Sequence, residues 1–357
     1  MKGKHSSQHI LFTTFVLLAA LLCSCKHEDL TVPKPNKHIR PAGDFIKNNY
    51  DFRLFYAALE YTGLATELNG KGPFTVLAPA NQAFNELGVQ LPEDFKKMNK
   101  DSLRFVMAYH ILPMRLFSTD IPANGVDVRY ATLAGKQLYA SLAMFFPNNP
   151  YPQNYFTFGG CVLDNRDIVL ANGVMHTLKK LQKPFPGVTV QAWLAARPAY
   201  SLYVAGLKKF GLWDALAQPG RFTIFAPDNK AFADAGITAA DIAALNPASY
   251  IGARLFGAYI LYDRQYFITD KTIFQIINEE SRYTYKLKDD EGEFVLTAYY
   301  SEFTVSVAGK LKGGSQPVFL GSVTAPSNTW AKMDNLCENG IVHQLPGILV
   351  RPDQALK

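Results

Sequence analysis

Long apolar runs are nearly absent from this chain of 357 residues, and none reaches the roughly 18 residues of a membrane-spanning helix. Cysteine is scarcer still: four residues are too few to staple a disulfide scaffold. Gly 25 and Pro 21 are ordinary counts, which excludes collagen-like and low-complexity chains. Hydrophobic residues at 48% against charged residues at 18% can bury a core, so disorder over most of the length is excluded as well. The formal net charge is +6 with no dense Lys/Arg stripe, and nucleic acid is not an expected partner. Catalytic signatures are missing too. There is no His-Glu-x-x-His, no Gly-x-Ser-x-Gly, no Ser-x-x-Lys, no phosphate-cradling Gly loop and no EF-hand loop. The expectation is a chain without enzymatic activity, cofactor or metal. Its length points to two domains.

What is present begins with an address. Lys2 and Lys4 precede the apolar run Ile10 to Leu22, which has the length of a signal-peptide core. The run ends at Leu22-Cys23-Ser24-Cys25, which resembles the bacterial lipoprotein cleavage box. The resemblance implies cleavage before Cys25 and attachment of acyl chains such as palmitate to it. Two or more chains give stable anchoring where one is marginal. An ordinary secretory signal ahead of a stray cysteine is the other reading. Lys26 stands where an Asp would retain a lipoprotein in the inner membrane. Glu28 and Asp29 resemble the acidic tether of lipoproteins exported to the outer surface. The expected location is therefore the outer membrane, lipid-anchored and exposed at the cell surface. Polar, Pro-containing sequence follows to residue 43 and reads as a flexible spacer. We place the signal at 1–24 and the tether at 25–39.

The rest of the chain repeats itself. Residues 72–84 (GPFTVLAPANQAF) and 220–232 (GRFTIFAPDNKAF) are identical at eight of thirteen positions, at an offset of 148. Upstream, Leu54, Phe55, Ala57, Leu59, Gly63 and Leu64 match Leu202, Tyr203, Ala205, Leu207, Gly211 and Leu212 at the same offset. Residues 108–112 sit opposite 257–261, and Asn172-Gly173-Val174-Met175-His176 opposite Asn339-Gly340-Ile341-Val342-His343 at an offset of 167. Four blocks in one order mean two homologous domains, 40–184 and 185–352. The second carries an insertion of roughly 18 residues, of the kind surface loops tolerate. Apolar residues at 54, 55, 58 and 59 predict one face of a helix, with Gly63 as its stop. Residues 74–78 predict a strand followed by a helix at Asn81, and Asn81 and Asn229 are placed to cap backbone N–H groups. Asn172-Gly173 signals a tight turn before a strand.

These blocks resemble the fasciclin-like domain family. Residues 75–84 and 223–232 are similar to its strand-turn-helix hallmark, and 172–184 and 339–352 to its terminal strand. Tyr109-His110 is similar to its central tyrosine-histidine motif. The resemblance implies an α+β fold: two tandem fasciclin-like β-wedge domains with small packed helices. It also implies adhesion or interaction work outside the cell.

Candidate residues each have a plainer reading. Tyr109 and His110 are candidate partner contacts. In the second repeat Ile260, beside Tyr259, stands where the histidine would be; a role in packing or capping is the alternative. Residues 143–160 carry six aromatics on a Pro/Asn-rich loop. Among them Phe146, Tyr151 and Tyr155 are candidate glycan or protein contacts, the alternative being a hairpin that buries its own rings. Aromatic and polar groups alternate over 283–305, which predicts a β-hairpin whose rings face the core. His176 and His343 lie on apolar strand faces. One histidine per repeat is too few for zinc, so a core histidine bonded to a carbonyl is expected. Cys161 and Cys337 read as buried thiols. The expected partners are a protein or glycan at the cell surface and the membrane itself through the lipid anchor. A glycan-binding accessory role beside an outer-membrane nutrient transporter is the alternative function.

Overall fold

Helix Arg53–Thr62 forms because its apolar residues recur on one face. Leu54, Phe55, Ala58 and Leu59 are all fully buried. Gly63 stops it at φ 83°, a left-handed conformation that glycine adopts without a Cβ clash. The counterpart in the second repeat is Ser201–Lys209, which buries Tyr203, Gly206 and Leu207. The computed structural model describes residues 39–144, 155–278, 282–288, 292–298, 302–310, 316–326 and 332–357. No helix among them is long and apolar enough to cross a membrane.

At the centre of each repeat, two parallel strands lie side by side. Phe74–Pro79 pairs with Gly173–Leu178, and Phe222–Pro227 with Gly340–Leu345. All six residues of Gly173–Leu178 are buried, as expected for a strand covered on both faces. Gly173 is required by close approach: a Cβ there would overlap the Phe74 carbonyl oxygen, and one at Gly340 would overlap that of Phe222. The turn expected before this strand is present, since Leu170 pairs with Gly173 and Cys337 with Gly340 across two-residue connections.

The repeats share register as well as sequence. Leu77 faces His176 and Phe225 faces His343; Val76 faces Ile111 and Ile224 faces Ile260. That last pair corrects one sequence expectation. Ile260 corresponds to Ile111, so the residue at the position of His110 is Tyr259, not Ile260.

Each repeat also carries a four-stranded antiparallel sheet. In the first it runs Gly125–Ala131, Gln137–Ala143, Tyr155–Phe158, Cys161–Val162; in the second Arg282–Lys286, Gly292–Ala298, Glu302–Lys310, Pro317–Pro326. The hairpin expected over 283–305 is there, with Phe294 fully buried and Tyr283 and Tyr285 packed on the core. The extra residues of the second repeat go into helix Asp270–Asn278, ahead of this sheet, and into strand length. Its last two strands have 9 and 10 residues, where the first repeat has 4 and 2.

From Arg40 onward the chain is one compact unit. Strand Lys183–Phe185, which ends the first repeat, pairs in parallel with Asn335–Cys337 and becomes the edge of the second repeat's five-stranded sheet. The segment that closes one repeat is thus built into the other.

Candidate functional site

Polar side chains inside each repeat are spent on backbone. Asn172 Oδ1 accepts the Ala42 N–H at 2.9 Å, and its amide nitrogen donates to the carbonyls of Leu68 and Gly70, each at 2.7 Å. Asn339 repeats the pattern on Val190, Leu216 and Gln218. Asn81 does cap a helix, though a different one from its own. It accepts the Leu54 N–H at 2.9 Å and donates to the Tyr50 carbonyl, as Asn229 does for Leu202 and Pro198.

The three histidines among the described residues are equally committed. His176 Nε2 donates to the Leu116 carbonyl at 2.9 Å while Nδ1 accepts the Asp167 N–H at 3.2 Å. His343 does the same with Tyr266 and Asp334, at 2.7 and 3.1 Å. These are the carbonyl-bonded core histidines expected from the strand pattern. His110 carries the opposite tautomer: Nδ1 donates to the Val106 carbonyl at 2.8 Å and Nε2 accepts the Gln182 N–H at 3.2 Å. Burial pushes the His110 pKa down to about 4, so the ring is neutral.

Tyr109 and His110 are therefore corrected as direct contact residues. Their exposures are 1% and 0%, and the Tyr109 hydroxyl donates to the Gln137 carbonyl at 2.9 Å. They hold the fold and present no surface to a partner. Of the aromatic segment 143–160, Phe156 and Phe158 are buried around His176, with ring centroids 6.3 and 5.9 Å from it. Tyr155 is half-buried, and burial raises its pKa, with Thr272 of the second repeat acting against that rise. Phe146, Tyr151 and Cys25 lie outside the described residues. Cys161 and Cys337 are buried thiols whose sulfurs lie 3.9 Å from the Gly159 carbonyl and 3.7 Å from that of Asn335. Burial pushes the Cys337 thiol up to about 12, which makes it a poor nucleophile.

The junction between the repeats holds residues that no local sequence signal marked. Lys180 of the first repeat forms a largely buried ion pair with Asp334 of the second, whose other oxygen accepts the Ile268 N–H at 2.8 Å. Burial is the largest influence and lowers the Lys180 pKa, yet Asp334, Cys161 and Tyr155 together raise it more, and the ammonium is held above its ordinary value. Lys136 bridges to Glu338 at 3.0 Å, and Glu338 also accepts the Gly187 N–H. Tyr139 packs on Phe267 with centroids 5.7 Å apart. Shared strand, buried ion pair and ring contact fix the two repeats to each other.

A family model described as fasciclin domain matches the chain twice, over residues 50–184 and 198–351. Human periostin is 27% identical over 169 residues, which is 47% of this chain and 19% of periostin. Protein sll1483 of Synechocystis sp. is 29% identical over 142 residues, 38% of this chain and 69% of that protein. The chain spans about a fifth of the length of periostin. A solved domain pair from the insect cell adhesion molecule fasciclin I aligns over 85% of this chain and 98% of its own, at 18% identity and a TM-score of 0.34.

Proposed function

Because the chain belongs to the fasciclin domain family and is built of two such domains, we propose that it is a non-enzymatic adhesion or interaction module. It is held on the outer face of a bacterial outer membrane by acyl chains on Cys25. The observation that supports this reading is the fixed junction. Ordering entropy is lost once, on folding, and a rigid pair presents its outer surfaces without a further cost on binding. The commitment of His110, His176 and His343 to backbone groups supports holding over chemistry, because a general base needs a ring nitrogen free for the reacting proton.

Two measurements test it. Mass spectrometry of the N-terminal peptide should find Cys25 acylated, and Cys25→Ala should release the protein from membranes. Beads coated with the full chain should adhere to cells or matrix protein independently of added sugar. An unmodified Cys25 would sink the anchor. Beads that bind no better than uncoated ones would sink the adhesion role.

The alternative, a glycan-capturing accessory to an outer-membrane transporter, is favoured among the described residues by a cleft with aromatic walls between the repeats.

A further inference from the structure

That cleft has a volume of about 200 Å³ and is lined by both repeats. It is smaller than the ~300–1,000 Å³ of drug-sized pockets, and suits one ring rather than an oligomer. Its walls are aromatic. Tyr266 stacks on Phe274 with centroids 6.1 Å apart and planes inclined by 16°, and meets Tyr285 edge-on at 6.5 Å. Tyr139 and Phe267 add a second ring pair. Tyr266 is itself buried, so the rings with surface in the cleft are the half-buried Tyr139 and Tyr285, and an aromatic ring with a polar tip complements the C–H face and hydroxyl rim of a sugar ring.

Charge narrows the occupant further. Asp127 sits at φ 58°, where the strand register slips between Gly125 and Val128, and its carboxylate serves both Arg129 at 3.0 Å and Arg221 at 3.3 Å. Arg264 has no carboxylate within ion-pair reach among the described residues; its guanidinium lies 6.0 Å over the Tyr285 ring. The remaining acid of the lining is Asp270. Burial pushes its pKa up to about 8, so it stays protonated at neutral pH and does not cancel the surplus. The Tyr266 hydroxyl is buried without a hydrogen-bond partner, and Gln265 adds an amide to the lining.

We infer that the cleft between the repeats binds a single acidic sugar ring, a hexuronate, with the ring against the tyrosines and its carboxylate on Arg264. A guanidinium fork matches a planar carboxylate, whereas a phosphate dianion would need more positive charge than one unpaired arginine supplies. The inference stands apart from adhesion, since loss of sugar binding would leave contacts on the outer surfaces untouched.

Calorimetric titration of the full chain with galacturonate, galactose and inorganic phosphate tests it. Galacturonate should bind saturably. Galactose should bind roughly tenfold more weakly or worse, as befits loss of a charge-assisted hydrogen bond. Arg264 is exposed, so Arg264→Gln should fold with an unchanged melting temperature. It should weaken galacturonate by the same factor and leave galactose unchanged. Absence of saturable galacturonate binding would overturn the proposal. So would equal affinity for galactose, tighter binding of phosphate, or galacturonate affinity that Arg264→Gln does not alter.

Discussion

His110 and Tyr259 occupy one position in the two repeats and hold the same backbone group. His110 Nε2 accepts the Gln182 N–H at 3.2 Å, and the Tyr259 hydroxyl accepts the Leu349 N–H at 2.8 Å. Gln182 and Leu349 each lie six residues beyond the strand histidine of their repeat, His176 or His343. Two different side chains thus solve one problem, fixing the chain as it leaves the central strand.

His110→Ala leaves the Gln182 N–H and the Val106 carbonyl without this partner in a dry site, and opens a cavity. The expected cost is about 2–4 kcal/mol, measured by urea unfolding. The pH dependence has a definite sign. The folded pKa is about 4 against an ordinary 6.5, so the neutral ring contributes fully above pH 6.5 and the contribution is lost as pH falls toward 4. Stability of the alanine variant should fall less over that window. Equal slopes in both proteins would show that His110 does not titrate as placed.

Asn172→Asp and Asn339→Asp keep the shape and remove the donors. Each sets a carboxylate against two carbonyl oxygens that now receive N–H bonds. A loss of more than about 2 kcal/mol is expected for each variant in denaturant titration. A loss below about 0.5 kcal/mol would mean that the staple is dispensable.

Lys180→Met strands Asp334 in the junction without its cation, a change of the kind that costs about 3–5 kcal/mol. Because the pair joins the two repeats, calorimetry should split one unfolding transition into two. A single transition at the original temperature would show that the strand pairing alone holds the junction.

Asp270 acts in the opposite sense to His110. Unfolded it ionises near 3.8, folded near 8. Between those values the folded chain keeps a proton that the unfolded chain has released, so stability falls as pH rises from about 4 to about 8. Asp270→Asn should flatten that fall in a melting-temperature profile. A profile unchanged by the substitution would place the carboxyl in a more polar setting.

The repeat, its helix Arg53–Thr62 and its parallel core were legible because each rests on local signals: an apolar face, a Gly stop, a β-rich run before Asn81. The correspondence of Tyr259 with His110 was not, because strand register fixes that position and a motif letter does not. Lys180 and Asp334 stand 154 residues apart with no periodicity linking them, so only folding brings them together. Strand Lys183–Phe185 looked like the end of one domain because its partner lies in the other. The cleft leaves no mark in the sequence for the same reason: Asp127 and Arg264 reach it from separate repeats.

The parallel pairing of Lys183–Phe185 with Asn335–Cys337 has a mechanical consequence. A pull from the N-terminal side enters the first strand at its start, and one from the C-terminal side enters the second at its end. In parallel strands that geometry loads the ladder in shear, so its bonds must break together instead of peeling one by one. Under axial load the seam between the halves is thus strained in the same mode as the longer parallel ladders, Phe74–Pro79 with Gly173–Leu178 and Phe222–Pro227 with Gly340–Leu345, inside them.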